Sequence, residues 1–186
     1  MSTAVATQTQ LVTAADLLEM GDIGPCELVR GEIRPMSPVN VEHAWLENEI
    51  GRLLGNFVSK RRLGWVMVGE VGLFTEEDPD TVRGADVIFI SRERVGRRPR
   101  QGFLRIAPEL AVEVVSPNDR WAELHDKIEE YFAMGIDRVW VVEPKRQQIR
   151  VYSSPVSMTV VSRNEVLRGE GVLADFALPV SDLFSE

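Results

Sequence analysis

The sequence predicts an α/β protein in which helices flank a mixed central β-sheet and a β-hairpin lies near the N-terminus. Three observations support this fold class. The runs 83–91 and 109–116 are apolar on both strand faces, which is typical of buried strands. Residues 40–59 and 119–134 carry apolar side chains at helical spacing. The segment 26–36 alternates around a tight turn, as a hairpin does.

The composition predicts one soluble domain covering residues 1–186, with 1–11 as a flexible tail. The chain is 44% hydrophobic and long enough to bury one sizeable core. Met1–Gln10 lacks the basic start and apolar run of a signal peptide, and no later run approaches the roughly 20 apolar residues of a membrane span. We therefore expect a cytoplasmic protein that does not bind membranes.

The chain is acidic as a whole but contains one basic segment. The formal net charge of −8 disfavours nonspecific adhesion to nucleic acid, because the average field repels phosphates. Residues 92–105 nevertheless concentrate arginines, among them Arg97, Arg98 and Arg100, around proline and glycine. Two interpretations stay open for this loop: a solvated basic surface, or a contact with phosphates or a partner.

The N-terminal elements have recognisable start signals. Thr13 followed by Asp16 predicts a capping box ahead of a short helix. Asn40 predicts the N-cap of the 40–59 helix. His43 begins the apolar stripe of that helix, and a lone histidine there is more often a hydrogen-bonded packing residue than a ligand. Gly64–Thr75 then alternates as a long strand.

Each of the two buried strands carries a carboxylate. Asp86 stands at the start of the 83–91 strand, and Glu113 lies within the 109–116 strand on a face shared with apolar residues. An unpaired carboxylate there would cost several kcal/mol or give up its charge. Glu113 therefore needs a nearby cation or a proton.

The helix that follows supplies a candidate cation. Asp119 is positioned to cap it, and its apolar stripe consists of Trp121, Leu124, Ile128 and Tyr131. Lys127 lies beside this stripe rather than on the solvated face, so its side chain either reaches toward the sheet or extends outward to solvent. Further strands are predicted at 139–142 and 149–152.

Together these residues form a set suited to phosphodiester hydrolysis. Asp86 and Glu113 on adjacent strands would hold two carboxylates a few ångströms apart, which demands a proton or a hard cation. Mg²⁺ accepts one or two carboxylates together with a carbonyl and waters. Lys127 would add a cation that orients or deprotonates a water molecule.

Several motifs, in this order, resemble the bacterial Uma-two (Uma2) family of restriction endonucleases, within the PD-(D/E)XK nuclease superfamily. The motifs are CELVRGE at 26–32, MSP…H at 36–43, AD at 85–86, EVVSP at 113–117, Lys127 with Tyr131, and GIDRVWVVEP at 135–144. The resemblance extends from about Thr13 to Phe184. It implies a restriction-endonuclease-like core and metal-dependent nuclease activity.

The superfamily pattern implies Asp86 and Glu113 as metal ligands, with the carbonyl of Val114 as a third. The chain departs from that pattern at two positions. Ala85 replaces a proline that only stiffens the turn, and Val115 occupies the place of the usual lysine. In relatives the lysine has moved to the following helix, so the resemblance assigns its role to Lys127.

The resemblance also implies substrate-facing or supporting roles for Glu27 and His43. The implied function is Mg²⁺-dependent cleavage of DNA, with Mn²⁺ as a substitute and a homodimer as the active form. Asp86 and Glu113 would bind the metal, Lys127 would position the attacking water, and Arg97, Arg98 and Arg100 would contact the nucleic acid. The alternative is a noncatalytic interaction module that retains the nuclease fold, which the acidic composition favours.

Overall fold

A computed structural model describes residues 11–117 and 119–185. Its helices are α1 (Ala14–Glu19), α2 (Val41–Arg61), α3 (Arg92–Val95), α4 (Trp121–Met134) and α5 (Val180–Leu183). Its strands are β1 (Cys26–Val29), β2 (Glu32–Pro35), β3 (Gly64–Glu76), β4 (Thr81–Ser91), β5 (Leu110–Val114), β6 (Arg138–Glu143), β7 (Gln148–Ser154), β8 (Ser157–Val161), β9 (Val166–Arg168) and β10 (Ala177–Pro179). Apart from Leu11, the tail predicted at 1–11 lies outside the described residues. None of the described helices is both long enough and apolar enough to cross a membrane.

Eight strands form one sheet in the order β2-β1-β4-β5-β6-β7-β8, with β3 paired to β4 outside that path. In the described part of this sheet β5 and β6 are parallel, and the other paired strands are antiparallel. The prediction of a mixed central sheet is therefore confirmed. Strands β9 and β10 form a separate two-stranded sheet.

The predicted hairpin and the predicted N-caps of α1 and α2 are also confirmed. Strands β1 and β2 are joined through Arg30 and Gly31, whose φ angles of 51° and 77° are both positive, as a two-residue hairpin turn requires. Glycine adopts such an angle without steric cost. Thr13 forms a capping box at the start of α1. The side chain of Asn40 accepts a hydrogen bond from the amide of His43, which fixes the first turn of α2.

Helices α2 and α4 pack on opposite faces of the sheet. The buried stripe of α2 lies in one core with inward-facing residues of β4, β5 and β6, and its members are Leu46, Ile50, Leu54 and Val58. The buried residues of α4, which are Leu124, Ile128 and Tyr131, lie in a second core against the other side of the same strands. Burying each large apolar side chain contributes about 1.5–3 kcal/mol, so both helices are held firmly against the sheet.

Two expectations at the start of α4 are wrong. Arg120 occupies the N-cap position without a side-chain hydrogen bond, whereas Asp119 accepts a hydrogen bond from the amide of Ser116 at 2.7 Å. Asp119 therefore closes the preceding turn instead of capping the helix. Trp121 is not part of the buried stripe, because 46% of its surface is exposed and it lies against the guanidinium of Arg150.

The two edges of β4 have different neighbours. Strand β3 pairs with one edge over nearly the whole length of β4. On the opposite edge, β1 pairs at Val82 and β5 pairs from Val87 to Phe89. Residues 83–86 therefore face a gap between the hairpin and β5, where their backbone groups need partners from side chains.

Candidate active site

Asp86 lies in the middle of β4, at this gap, and is only 2% exposed. The sequence suggested the start of a strand, but β4 begins five residues earlier, at Thr81. The Oδ2 atom of Asp86 accepts a hydrogen bond from the amide of Val114 at 2.6 Å. The carboxylate thus continues the connection between β4 and β5 beyond the point where their ladder pairing stops.

Glu113 is the second buried carboxylate of the site. Its Oε2 lies 2.7 Å from Lys127 Nζ, and its Oε1 accepts a hydrogen bond from the Tyr131 hydroxyl at 2.7 Å. Burial raises the pKa of Glu113 to about 8, against the opposing charge of Lys127, and the negative charge of Asp86 adds to the rise. A group with this pKa near neutrality responds strongly to any cation that arrives beside it.

Lys127 reaches toward the sheet, and its ammonium group lies between two carboxylates, of which Glu113 is the first. The second of these is Glu27 of β1, whose Oε1 is 3.4 Å from Nζ. Burial by itself lowers the pKa of Lys127, but the charges of Glu113, Glu27 and Asp86 outweigh it and raise the pKa above its ordinary value. Lys127 therefore stays cationic at neutral pH and is suited to orienting a water molecule, not to removing its proton.

Glu27 connects Lys127 to a second buried cation, Arg83. One oxygen of Glu27 accepts a hydrogen bond from the amide of Gly84 at 3.0 Å, and the other accepts from Arg83 Nη1 at 2.8 Å. Arg83 also donates two hydrogen bonds of 2.6 Å each to Glu130 of α4. These bonds fill the gap beside residues 83–86 and tie β1, β4 and α4 together.

A bulge in β3 brings a further carboxylate, Glu70, toward the site. The register of β3 against β4 shifts between Val68 and Val71, and Gly69 and Glu70 both have positive φ angles, of 95° and 53°. A Cβ atom on Gly84 would lie 2.5 Å from Glu70 Oε2, so the side chain of Glu70 passes directly over Gly84. Burial and the charge of Asp86 raise the pKa of Glu70 to about 7.

His43 and Glu47 approach Asp86 from the first turns of α2. His43 Nε2 is 3.4 Å from Asp86 Oδ1 and 3.9 Å from Glu47 Oε2, while Nδ1 lies 2.9 Å from the hydroxyl of Ser116. Among the described residues, Nε2 is buried without a hydrogen-bond partner. Burial lowers the pKa of His43, but Asp86 and Glu47 outweigh this effect and raise it; burial and Asp86 also raise the pKa of Glu47.

The structure brings five of the predicted site residues together: Asp86, Glu113, Lys127, Glu27 and His43. The remaining predictions concern other positions. Val114 contacts Asp86 through its amide nitrogen, and its carbonyl as a ligand stays a prediction. Arg97, Arg98 and Arg100 are exposed on the loop after α3, outside this cluster.

Sequence reasoning missed Glu47, Glu70 and Arg83. Glu47 had a detectable signal, since it follows His43 by four residues and must share its helix face. Glu70 had a weaker one, because a Gly-Glu pair inside a strand pattern indicates a bulge. Arg83 had none, because its partners come from strand β1 and helix α4, far away in the chain.

Comparison with known families identifies the chain. The family Uma2, described as "Putative restriction endonuclease", matches residues 14–181. The chain belongs to the Uma2 family. Its fold is shared by a "putative nuclease belonging to DUF820" from Anabaena variabilis ATCC 29413, with a TM-score of 0.78, 19% sequence identity, and coverage of 93% of this chain and 97% of the other. No curated protein sequence matches the chain. The predicted family and restriction-endonuclease-like fold are confirmed.

We expect Arg83→Met to lower the free energy of unfolding by about 3–5 kcal/mol, because it leaves the poorly solvated carboxylate of Glu130 without its cation and that of Glu27 with Lys127 alone. Arg52→Met is a matched control: Arg52 makes a similar two-point contact with Glu49, but its side chain is 52% exposed. Loss of that surface pair should cost less than about 1 kcal/mol. Urea unfolding of both variants measures the difference, and equal small losses would contradict a structural role for the Arg83 network.

Proposed function

We propose that this member of the Uma2 family is a metal-dependent nuclease that hydrolyses phosphodiester bonds, most readily in DNA. The observation that carries the proposal is the convergence of Asp86, Glu113 and Lys127 at the gap between the hairpin and β5. Asp86 and Glu113 come from different strands, and burying their two carboxylates close together costs folding free energy, so such a cluster is typical of a functional site. Family membership and the nuclease-like fold support the same activity.

The residues beside Asp86 fit a divalent cation. His43, Glu47 and Asp86 each offer one ligand atom, and these atoms lie within 4.8 Å of one another. His43 Nε2 is buried without a hydrogen-bond partner among the described residues, so in the neutral ring it would offer its electron pair to the cation, and the Ser116 hydroxyl beside Nδ1 would hold the ring in that orientation. We infer that these three residues hold the cation, which would supply a nucleophilic hydroxide and neutralise charge on the phosphate.

This ligand set overlaps the one that the sequence suggested, and Asp86 is common to both. Glu113 is occupied with Lys127 and Tyr131, so we assign it first to holding the lysine. Mg²⁺ and Mn²⁺ both accept carboxylate oxygens, but an imidazole ligand is less suited to Mg²⁺. The proposed site should therefore bind Mn²⁺ more tightly than Mg²⁺.

Lys127 contributes a fixed positive charge. An ammonium group has three donors, and its contacts with Glu113 and Glu27 leave one available for a water or a phosphate oxygen. Because its pKa is raised, the group keeps its charge while negative charge develops on the phosphate. We assign it the positioning of the attacking water and stabilisation of the transition state.

The basic loop provides a route for the nucleic-acid backbone. Arg94 is paired with Glu109 and Asp137, but none of Arg97, Arg98 and Arg100 forms an ion pair with another described residue. A cleft of about 510 Å³ lies between this loop and β3, lined by Arg98, Arg100, Val71 and Gly72. Val71 and Gly72 pair with Ala85 and Gly84 of β4, directly before Asp86. We propose that phosphates follow this cleft to the site.

The metal site can be tested by titrating Mn²⁺ and Mg²⁺ calorimetrically into wild-type, Asp86→Asn and His43→Ala protein. Loss of a hydrogen bond that supports a metal ligand typically weakens metal binding by about 10- to 100-fold. Loss of a ligand itself should weaken Mn²⁺ binding by more than this. His125→Ala is the matched control, since His125 and Glu129 form the same i,i+4 pair on an exposed helix face. Unchanged binding by Asp86→Asn would refute the site.

The same titration should depend on pH. His43 has a raised pKa, so its proton competes with the metal up to a higher pH than usual. Mn²⁺ affinity should therefore fall as the pH drops from 8 to 6, by about tenfold per pH unit for each displaced proton. The pH dependence should weaken in His43→Ala.

Lys127→Met tests catalysis directly. We expect a folded protein whose cleavage rate falls by at least about a hundredfold, because a fixed charge at the phosphate is lost. Cleavage of supercoiled DNA, single-stranded DNA and RNA is measured at low salt with each metal. Glu113→Ala controls for contaminating nucleases. If no substrate is cut and Mn²⁺ does not bind, the noncatalytic interaction module is the better interpretation.

Replacing Arg97, Arg98 and Arg100 with serine should weaken DNA binding and flatten its dependence on salt, by about 0.9 in the log–log slope per lost phosphate contact. A second triple variant, Lys60, Arg163 and Arg168 to serine, changes the net charge equally at other exposed positions. Only the loop variant should change the slope. Equal slopes in the two variants would mean that the loop is a solvated surface.

A further inference from the structure

Trp121, the first residue of α4, is oriented but exposed. Its surface is 46% accessible, whereas Leu124 of the same helix is buried. The guanidinium of Arg150 lies 4.8 Å from the centre of the indole ring, and Arg150 is itself held by Glu143 through a hydrogen bond of 2.5 Å. The arginine restrains the ring on one side and leaves much of its surface free. Burying this indole would stabilise the fold more than leaving it exposed. A large aromatic side chain that is restrained and still exposed is therefore typical of a binding surface.

The indole borders a cleft of about 170 Å³ that adjoins the candidate active site. Pro117 and Pro144 form part of its apolar lining, together with Trp121. His43 and Ser116, which contact each other, also line it. Since Nε2 of His43 lies 3.4 Å from Asp86, a single imidazole ring separates the cleft from the proposed metal site.

We infer that this cleft is a stacking subsite for one unpaired nucleobase, next to the phosphate at the active site. The inference rests on the proposed nuclease function and names the part of the substrate that the enzyme recognises. An indole offers a flat surface on which any base can stack. A base held in a duplex has both faces covered by its neighbours, so only an unpaired or displaced base can reach the ring.

The charges around the cleft favour stacking over electrostatic attraction as the source of affinity. Lys145 and Arg146 are exposed at its rim, but Glu42 and Asp119 also line it and offset them. The contribution of Trp121 should therefore be insensitive to salt. This distinguishes it from the contribution of the basic loop, which acts through phosphates.

The test measures binding by fluorescence anisotropy in Ca²⁺, with gels confirming that the probes stay intact. The probes are a labelled single-stranded oligodeoxynucleotide, a duplex of the same sequence, and a set of single strands in which one base at a time is removed.

Trp121→Ala should weaken single-strand binding by about 5- to 150-fold, and Trp121→Phe should retain most of it. Duplex binding and the salt slope should change less than about twofold. One abasic position should weaken wild-type binding and have no effect on Trp121→Ala.

The matched control is Trp45→Ala, which removes another exposed indole, 54% accessible, that does not line the cleft. It should bind all probes as the wild type does. The inference is overturned if Trp121→Ala binds single strands normally, if it loses single strands and duplex equally, or if wild-type protein binds no single strand. Cleavage assays on the same proteins judge the nuclease proposal separately: a wild-type enzyme that cuts DNA while Trp121→Ala binds normally retains its function and loses only this subsite.

Discussion

The buried ammonium group of Lys127 is the charge on which the rest of the site depends. It neutralises Glu113 at the end of β5 and approaches Glu27 of the hairpin. Without it, both carboxylates would lie in a poorly solvated gap with an excess of negative charge. Electrostatic contacts as well as apolar contacts therefore stabilise the position of α4 against the sheet.

A second layer of ions supports the first. Arg83 joins Glu27 to Glu130, so α4 is fixed to the sheet at two points three residues apart, Lys127 and Glu130. Gly84 lies between these layers. Its amide bonds Glu27, its carbonyl accepts a weak hydrogen bond from Tyr131, and its missing side chain leaves room for Glu70. A larger residue at this position would disturb several site groups at once.

The predictable parts of the molecule are those set by local patterns. Helix periodicity located α2 and α4, and apolar runs located β4 and β5, because burial imposes a period that a reader can detect. The buried position of Glu113 already required a cation or a proton, and the family resemblance selected Lys127 as the cation. In contrast, Glu70 depends on a bulge and Arg83 on partners in other elements, so neither follows from neighbouring residues. Trp121 matched the helical period of a core residue, yet its side chain is 46% exposed and lies against Arg150.

Acidic side chains crowd around Asp86, and their charge affects the order in which a cation and a phosphate could bind. Phosphate is repelled by like charge at short range, and surface charges act over only about 8 Å at physiological salt. Under the proposed function, the arginines of the loop would attract a nucleic acid, while the carboxylates of Asp86, Glu47 and Glu70 would still repel a phosphate at the centre of the site. Under the proposed function, a substrate phosphate would therefore bind at this position only after a cation has bound. If the protein is the metal-dependent nuclease proposed above, this cluster would impose an ordered kinetic scheme in which the metal enters first and the nucleic acid second, and a metal-free molecule would hold its substrate at the periphery without engaging it.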